Sequence, residues 1–454
     1  MAGIFKAYDV RGQYPDELDE SAARKIGYSL VRLLGGKTIV VGRDIRLSSP
    51  SLSDAFCAGA AQAGAQVTDA GPVSGPLLYR AIISGNFDGG AMITASHLTG
   101  EMNGIKLCSS DAVPLSGNKG LPALEKLTGS APEGKIQPPH NVTRADFTRE
   151  YIAWITGFVL TNRPVKIVAD AGDGMAGPEL DLLAAWLEKH ERGVIIPMND
   201  VPDGKFPHHG PNPFLPGKTA EMAKRVIDEG ADFGVAFDGD ADRCIFIDET
   251  GAPVAADLAT ALIAEYFLKR YPGGPILYDL RSSRIVPETI RRSGGRPVRS
   301  RVGHAFIKEL MRQENAVFAG ELSGHYYFKD AGFCDNGIMA MIWMANLLSS
   351  KNKTFSELIQ PLRKYSSTGE INMRVSRSSE VISALASAFQ DAEQDRLDGL
   401  TIQYPTWWMN IRPSNTEPLI RLNLEADTLE KMHAKVAQIT KIIQETDPGA
   451  TFVQ

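Results

Sequence analysis

The stretch VKIVADAGDGMAGPELDLLAAWLEKH (165–190) sets the fold class. VKIVA (165–169) is apolar and strand-like, DAGDGMAGP (170–178) is turn-like, and residues 179–190 read as a helix. The same arrangement stands on either side of it. KTIVV (37–41) leads into GRDIRLSSP (42–50) and an Ala-rich helix-like run at 51–64. PILY (275–278) leads into DLRSS (279–283) and a helix-like run at 285–293. Each unit places an Asp just after its strand. Three such strand–loop–helix units imply three related α/β units with mixed sheets. The central one also carries Gly172-Asp173-Gly174-Met175-Ala176-Gly177, with Asp200 further on, as a dinucleotide fold would. The pattern is weak alone, and it sits in the second unit rather than the first.

The last quarter reads differently. Strand-like 370–375 and helix-like 380–391 precede three strand candidates at 400–404, 407–412 and 419–424, and a helix begins at Thr428. This order implies an α+β unit with an antiparallel sheet and helices on one face. Polar or Gly/Pro-bearing linkers are expected at EGKIQPPH (133–140), ETGAP (249–253) and SSKNKT (349–354) through Pro361. Four domains follow, at 1–142, 143–251, 252–363 and 364–454.

Composition agrees. The 454 residues are 43% hydrophobic and 22% charged, which suits a soluble chain of several domains. Net charge is −6 and no basic block stands out, so nucleic acid is disfavoured as a partner. An anionic substrate needs a local basic cluster. Cys57, Cys108, Cys244 and Cys334 are widely spaced, which points to a reducing compartment without disulfides or structural zinc. The N-terminal residues carry no apolar signal-like core. The apolar run at 338–348, broken by Asn346, is too short to span a bilayer and reads as a buried helix. No membrane partner and a cytoplasmic location are expected.

Four loops carry chemistry. FGVAF (233–237) runs into Asp238-Gly239-Asp240-Ala241-Asp242-Arg243 and then CIFI (244–247). Three carboxylates this close repel each other unless a hard cation such as Mg²⁺ relieves them. A solvated acidic turn is the bland alternative. An EF-hand is disfavoured because Arg243 stands where its sharp turn needs Gly. GAMIT (90–94) opens into Ala95-Ser96-His97, with Lys106 not far on. Serine needs a base or metal to become a nucleophile, and a plain turn fits this segment equally well. FAGELSGH (318–325) offers Glu321, Ser323 and His325 at alternate positions, which share a face if extended. MNIRPSNTEP (409–418) offers the planar fork of Arg412 beside Ser414, Asn415 and Thr416, as a phosphate clamp would.

Taken in this order, KAYDVRG (6–12), TASH (94–97), NGIKL (103–107), DGDADR (238–243), VGHAFIK (302–308), GELSGH (320–325) and RPSNTEP (412–418) resemble the α-D-phosphohexomutase family, in its bacterial phosphomannomutase/phosphoglucomutase branch. The resemblance implies four domains in a heart shape around a central cleft. It implies Ser96 as the phosphoserine, and Asp238, Asp240 and Asp242 as Mg²⁺ ligands together with a Ser96 phosphate oxygen. Lys106 and His325 match residues that handle protons, with Arg11 nearby. Tyr8, Arg243 and His304 match the lining of the site. Glu321 and Ser323 match contacts to sugar hydroxyls, and Arg412, Ser414, Asn415 and Thr416 match the clamp on the non-reacting phosphate. The expected activity is interconversion of hexose 1- and 6-phosphates, of mannose and glucose, through hexose 1,6-bisphosphate, by a monomer or weak homodimer. Phosphoglucosamine mutase, a serine- and metal-dependent sugar phosphatase, and a non-catalytic sugar-phosphate binder are the alternatives. Leu98-Thr99 after Ser96-His97, Leu322 in GELSGH and Arg281 in place of a common Lys depart from the family pattern.

Overall fold

The structure, a computed structural model, describes residues 3–117, 119–133, 141–414 and 419–453. The strand Val165–Asp170 lies between Phe233–Phe237 and Gly193–Met198, parallel to both. Beyond Phe233–Phe237 the sheet continues antiparallel through Cys244–Asp248 and Pro253–Val254. Parallel neighbours require crossovers, and the helices Ala176–Lys189 and Ala220–Glu229 supply them. All five residues of Phe233–Phe237 are buried, which explains an apolar run without alternation.

The other two α/β units repeat this order. Around Pro275–Asp279 stand Arg296–Ser300 and Phe318–Gly320, both parallel, then Tyr326–Phe328 and Cys334–Asp335, antiparallel. Around Thr38–Arg43 stand Gln66–Pro72 and Gly89–Ile93, both parallel, then Met102–Ser109, antiparallel. Here Val10–Gln13 from the start of the chain takes the last place, and Val142–Arg144 extends the other edge. The stretch ETGAP, expected as a linker, instead turns back as a hairpin onto Cys244–Asp248.

One consequence positions the site. In all three sheets the connection after the third strand is a hairpin loop, and these loops hold Ser96, the Asp238–Asp242 triplet, and Glu321 to His325. The Asp that follows or ends each central strand is Asp44, Asp170 or Asp279, at the same end of its sheet.

The fourth sheet is antiparallel throughout, in the order Glu393–Asp395, Leu400–Tyr404, Trp407–Pro413, Leu419–Ala426, Ser366–Arg374 and Thr451–Val453. The helices Ser378–Ala388 and Leu429–Thr446 pack on it and on each other. The apolar run near residue 340 is the helix Gly337–Ser349, with every residue buried. Its Asn346 is there for a reason: it donates to the Phe158 carbonyl and accepts from Leu160 N–H, both at 2.7 Å. Among the described residues no helix is long and apolar enough to cross a membrane. All four cysteines are buried free thiols.

Candidate active site

Ser96 has φ of +53°, a strained value for a residue with a side chain. Something must hold it there, and Arg46 does. Arg46 is fully buried, and each of its five side-chain N–H groups has an acceptor. Nε donates to Asp44, 3.0 Å away. Nη1 donates to the carbonyls of Thr99 and Met102, and Nη2 to those of Ser96 and Leu98. The guanidinium also lies 5.3 Å from the Phe206 ring of the second domain. The departure Leu98-Thr99 is thereby absorbed: its contacts to Arg46 run through backbone carbonyls, which any residue provides.

The Ser96 hydroxyl points across the domain boundary. It donates to Asp238 Oδ2 at 2.6 Å and accepts from Arg243 Nη2 at 3.0 Å; His97 Nδ1 is 3.4 Å away. Lys106 donates to Asp240 Oδ2 at 2.6 Å and Asp242 Oδ2 at 2.5 Å. The carboxylates of Asp238, Asp240 and Asp242 each offer an oxygen within 4.8 Å of the others. Asp240 Oδ1 and Asp242 Oδ1 are buried without a hydrogen bond. Lys106 and Arg243 are the two cations that hydrogen-bond these three carboxylates, and His325 stands 3.6 Å from Asp242. A hard divalent cation with oxygen ligands fits this donor set. Burial pushes the Asp238 carboxyl up to about 6, against the pull of Arg243. Burial also acts on Asp242, but Lys106, His325 and Arg243 overcome it and hold that carboxyl well below the usual range.

The third loop meets the second through backbone. Arg243 pairs with His325 in an isolated antiparallel bridge, and Cys244 N–H donates to the Gly324 carbonyl at 3.0 Å. His325 thus lies between carboxylates, with Nε2 3.6 Å from Asp242 and Nδ1 3.1 Å from Glu321. Ser323 Oγ is 3.0 Å from the same Nδ1. Glu321 accepts from Tyr327 OH at 2.9 Å and from Gly303 N–H at 3.2 Å. Burial alone would raise the Glu321 carboxyl; the hydrogen bond and charge of His325, with Arg281, hold it well below its usual range. The Tyr8 and His304 rings pack in a T shape, with centroids 4.9 Å apart. Both nitrogens of His304 are buried without partners. Burial, Lys308 and Lys106 keep that imidazole neutral by pushing it well below its ordinary value. Arg11 is held by Asp9 through an Nε donation of 2.6 Å.

In the fourth domain Arg412 Nη2 donates to Glu370 at 2.5 Å, and Nη1 is 3.4 Å from Asn423 Oδ1. Ser414 N–H donates to the Leu419 carbonyl at 2.7 Å. Asn415 and Thr416 lie outside the described residues. Arg281 links this domain to the third. Its Nη2 reaches Asp279 at 2.7 Å and Glu321 at 3.4 Å, and its Nη1 is 3.7 Å from Glu370. A chain of polar contacts therefore runs from Ser96 to Arg412 through Asp238, Arg243, Asp242, His325, Glu321, Arg281 and Glu370.

Several supporting residues escape a reading of the sequence. Arg46, Phe206, and Phe214, whose ring lies 5.4 Å from the Arg243 guanidinium, are distant in sequence from what they hold. Behind His325 and Asp242, Asp335 pairs with fully buried Lys308 at 2.8 Å, and that ammonium sits over the Tyr79 ring. Asp44 and Asp279 were visible as an Asp after each strand. The signal was the repetition itself, because each ties a nearby active loop through an arginine two residues on. The glycine-rich turn at 172–177 is filled by protein. A Cβ on Gly177 would sit 1.8 Å from the Asp200 carbonyl oxygen, and Met175 N–H donates to the Gly239 carbonyl at 3.0 Å. Its glycines serve close packing under the acidic loop.

Known proteins resemble this chain in sequence and fold. The chain matches the phosphoglucomutase/phosphomannomutase alpha/beta/alpha domains I, II and III at residues 2–131, 149–251 and 256–365, and the C-terminal domain at 370–442. It is 38% identical to a phosphomannomutase of Salmonella typhimurium over 433 residues, 93% of this chain and 94% of that one. It is 38% identical to a phosphomannomutase of Escherichia coli over 455 residues, 97% of this chain and 99% of that one. A crystal structure of a phosphoglucomutase/phosphomannomutase family protein from Burkholderia thailandensis superposes with a TM-score of 0.89 at 32% identity, covering 99% of this chain and 98% of that one. By sequence, by domain order and by fold, the chain belongs to the phosphoglucomutase/phosphomannomutase family, the α-D-phosphohexomutases, which are hexose phosphate mutases.

Proposed function

We propose that the protein interconverts hexose 1-phosphate and hexose 6-phosphate, with mannose and glucose as sugars, through a phosphorylated Ser96 and a hexose 1,6-bisphosphate. The observation that carries this reading is the Ser96 hydroxyl, 2.6 Å from Asp238 and within reach of Arg243, in the same buried cluster as Asp240, Asp242 and Lys106. Asp238, Asp240 and Asp242, with a phosphate oxygen on Ser96, would hold Mg²⁺. When bound, that ion would offset charge on the oxygens of the transferring phosphoryl group.

The chain's own residues do the rest. The bond from Ser96 Oγ to phosphorus breaks as a sugar hydroxyl takes the phosphoryl group. Arg243, already donating to Oγ, steadies charge on the leaving oxygen. His325 and Lys106, with Arg11 beside them, handle the protons: the sugar hydroxyl loses one as its oxygen attacks, and the serine oxygen gains one as the phosphoryl group leaves. The bisphosphate then turns end for end and its other phosphate goes back to Ser96, so enzyme and proton count are restored. Glu321 and Ser323 contact the O3 and O4 hydroxyls. Mannose and glucose differ only at C2, so both fit. Tyr8 and His304 line the wall. Arg412, Ser414, Asn415 and Thr416 hold whichever phosphate is not reacting. The four functional loops are assigned to domains at 1–142, 143–251, 252–363 and 364–454. Free buried thiols suit a reducing interior, and we place the enzyme in the cytoplasm as a monomer or weak homodimer.

The test is a coupled assay of purified protein on mannose 1-phosphate and glucose 1-phosphate, with and without a trace of the matching 1,6-bisphosphate. Intact-mass analysis follows in parallel. Both sugars should isomerise, and one phosphate should map to Ser96. Stoichiometric release of inorganic phosphate would favour a phosphatase, and an active enzyme never phosphorylated at Ser96 would refute the cycle.

A further inference from the structure

The arginines of the fourth domain already hold an anion of the protein's own. The strand Ser366–Arg374 carries a register irregularity against Leu419–Ala426 between Ser367 and Glu370. Gly369, with φ of +65°, makes the bend. Such bulges re-aim a side chain, and this one turns Glu370 toward three arginines. Its Oε2 is 2.5 Å from Arg412 and 3.7 Å from Arg281, and its Oε1 is 3.6 Å from Arg421. Arg412 and Arg421 face each other across paired strands. Arg281 has Asp279 and Glu321 as further partners. Among the described residues, Glu370 is the one carboxylate within ion-pair reach of Arg412 and Arg421.

The electrostatics point the same way. Burial and the like charge of Arg281 both push Arg412 below its ordinary value, while the charge of Glu370 and its hydrogen bond pull the other way. Burial would raise Glu370, yet Arg412, Arg281 and Arg421 hold it down. A carboxylate offers two oxygens and one charge to a guanidinium fork. A phosphate monoester offers three oxygens and up to two charges to the same fork.

We propose that Glu370 is a resident anion in the phosphate clamp, occupying Arg412, Arg421 and Arg281 until the non-reacting phosphate of a substrate displaces it. This rests on the assignment of Arg412 to that clamp. Three consequences follow. The arginines stay paired and preorganised between turnovers. A weakly charged anion gains little by entering, so the clamp favours a phosphate dianion. The Arg281–Glu370 contact, which spans the third and fourth domains, breaks when substrate binds, coupling phosphate capture to movement of the fourth domain.

The probe is inorganic phosphate, titrated by calorimetry into the full-length protein. Variants are Glu370→Gln, Arg412→Ala and the double variant. Glu370 is one-quarter exposed, so the ion pairs it forms are partly screened. Glu370→Gln should bind phosphate about fivefold more tightly than wild type, the range of a partly exposed ion pair. Arg412→Ala should bind it more weakly, and the double variant should lose the gain. Equal or weaker binding by a folded Glu370→Gln would overturn the inference, making Glu370 a support for the arginines instead. A gain that survives in the double variant would also overturn it, because the phosphate would then sit elsewhere. Should Glu370→Gln not fold, Glu370→Asp decides the question: it keeps the charge but withdraws it, and it should bind phosphate more tightly, with no gain counting against the inference. Arg412→Ala with unchanged phosphate affinity and unchanged KM would instead remove the clamp assignment itself.

Discussion

Replacing Arg46 by lysine tests how a serine in a strained conformation is kept in register with the acidic loop. Lysine keeps the charge facing Asp44 but offers three donors in place of five. At least two of the five acceptors, one on Asp44 and four on carbonyls between residues 96 and 102, then lose a partner. Each buried carbonyl left unpaired costs roughly 1–3 kcal/mol. A loss of about 3 kcal/mol in unfolding free energy is therefore expected, read by urea denaturation. The kinetic effect is larger in kind. The Ser96 carbonyl is one of those acceptors, at 2.7 Å, so its loop relaxes and Oγ moves relative to Asp238. A displacement of about 1 Å costs on the order of 10²-fold in rate. Turnover should fall about 100-fold while KM moves little, because Glu321 and Arg412 are untouched. The loading of Ser96 by hexose 1,6-bisphosphate, followed by intact mass, should slow by the same factor. Wild-type turnover in a folded Arg46→Lys enzyme would refute the claim that these five bonds position the serine, and a rise in KM alone would show that Arg46 acts on substrate binding.

Two other outcomes follow from the same geometry. Asp240→Asn removes one charge from the triplet and weakens the partner of Lys106, so turnover should require about tenfold more Mg²⁺ or be lost, on the scale of a changed metal-ligand contact; full activity of the wild type in chelator would end the metal assignment. Glu179 is buried beside Ser74 with no hydrogen bond of good geometry, and burial pushes its carboxyl from 4.5 to about 8. Between pH 4.5 and about 8 the unfolded chain has released that proton while the folded one keeps it, so this group makes stability fall as pH rises across the window. Glu179→Gln should therefore raise the melting temperature more at pH 8 than at pH 5, and an equal gain at both would contradict the buried neutral carboxyl.

The fold was readable where strands are short apolar runs closed by Asp and turn residues: those expected at 37–41, 165–169, 233–237 and 275–278 lie within a few residues of their places, whereas Gln66–Pro72, Gly193–Met198 and Arg296–Ser300 were not read. The strand expected at 165–169 is Val165–Asp170, and FGVAF is Phe233–Phe237. The edge strands Glu393–Asp395 and Thr451–Val453 were missed too, because three residues, none of them buried, carry too short a pattern to read. The site's polar residues were visible where they cluster in one loop, as in DGDADR. The residues that hold the loops were not. Arg46 lies fifty residues before Ser96, and Lys308 far from both Asp335 and Tyr79; only folding brings such pairs together. Glu370 was counted as the start of a strand; the Gly369 before it permits a bulge, but no residue nearby says that the bulge turns Glu370 toward Arg412.

The repeated sheet explains why three different loops meet. In each α/β unit the third strand runs parallel to the first and then folds back as a hairpin, so its loop emerges at the end where the Asp after the first strand stands. In the first and third units that Asp anchors an arginine two residues later, Asp44 with Arg46 and Asp279 with Arg281. Each arginine then reaches the hairpin loop of its own sheet, at the Ser96 carbonyl and at the Glu321 carboxylate. The second unit has alanine and glycine in those positions, and its Asp170 turns to Asn199 and His209. Its loop holds the carboxylate triplet, where an added guanidinium would compete with a metal ion. Arg243, supplied from within the loop, pairs with Asp238 and reaches the Ser96 hydroxyl, leaving Asp240 Oδ1 and Asp242 Oδ1 without hydrogen bonds. One scaffold thus presents the Ser96 hydroxyl, the carboxylate triplet and Glu321 to one another, and the side chain two residues after a single Asp separates the two loops braced by arginine from the one that holds the carboxylates.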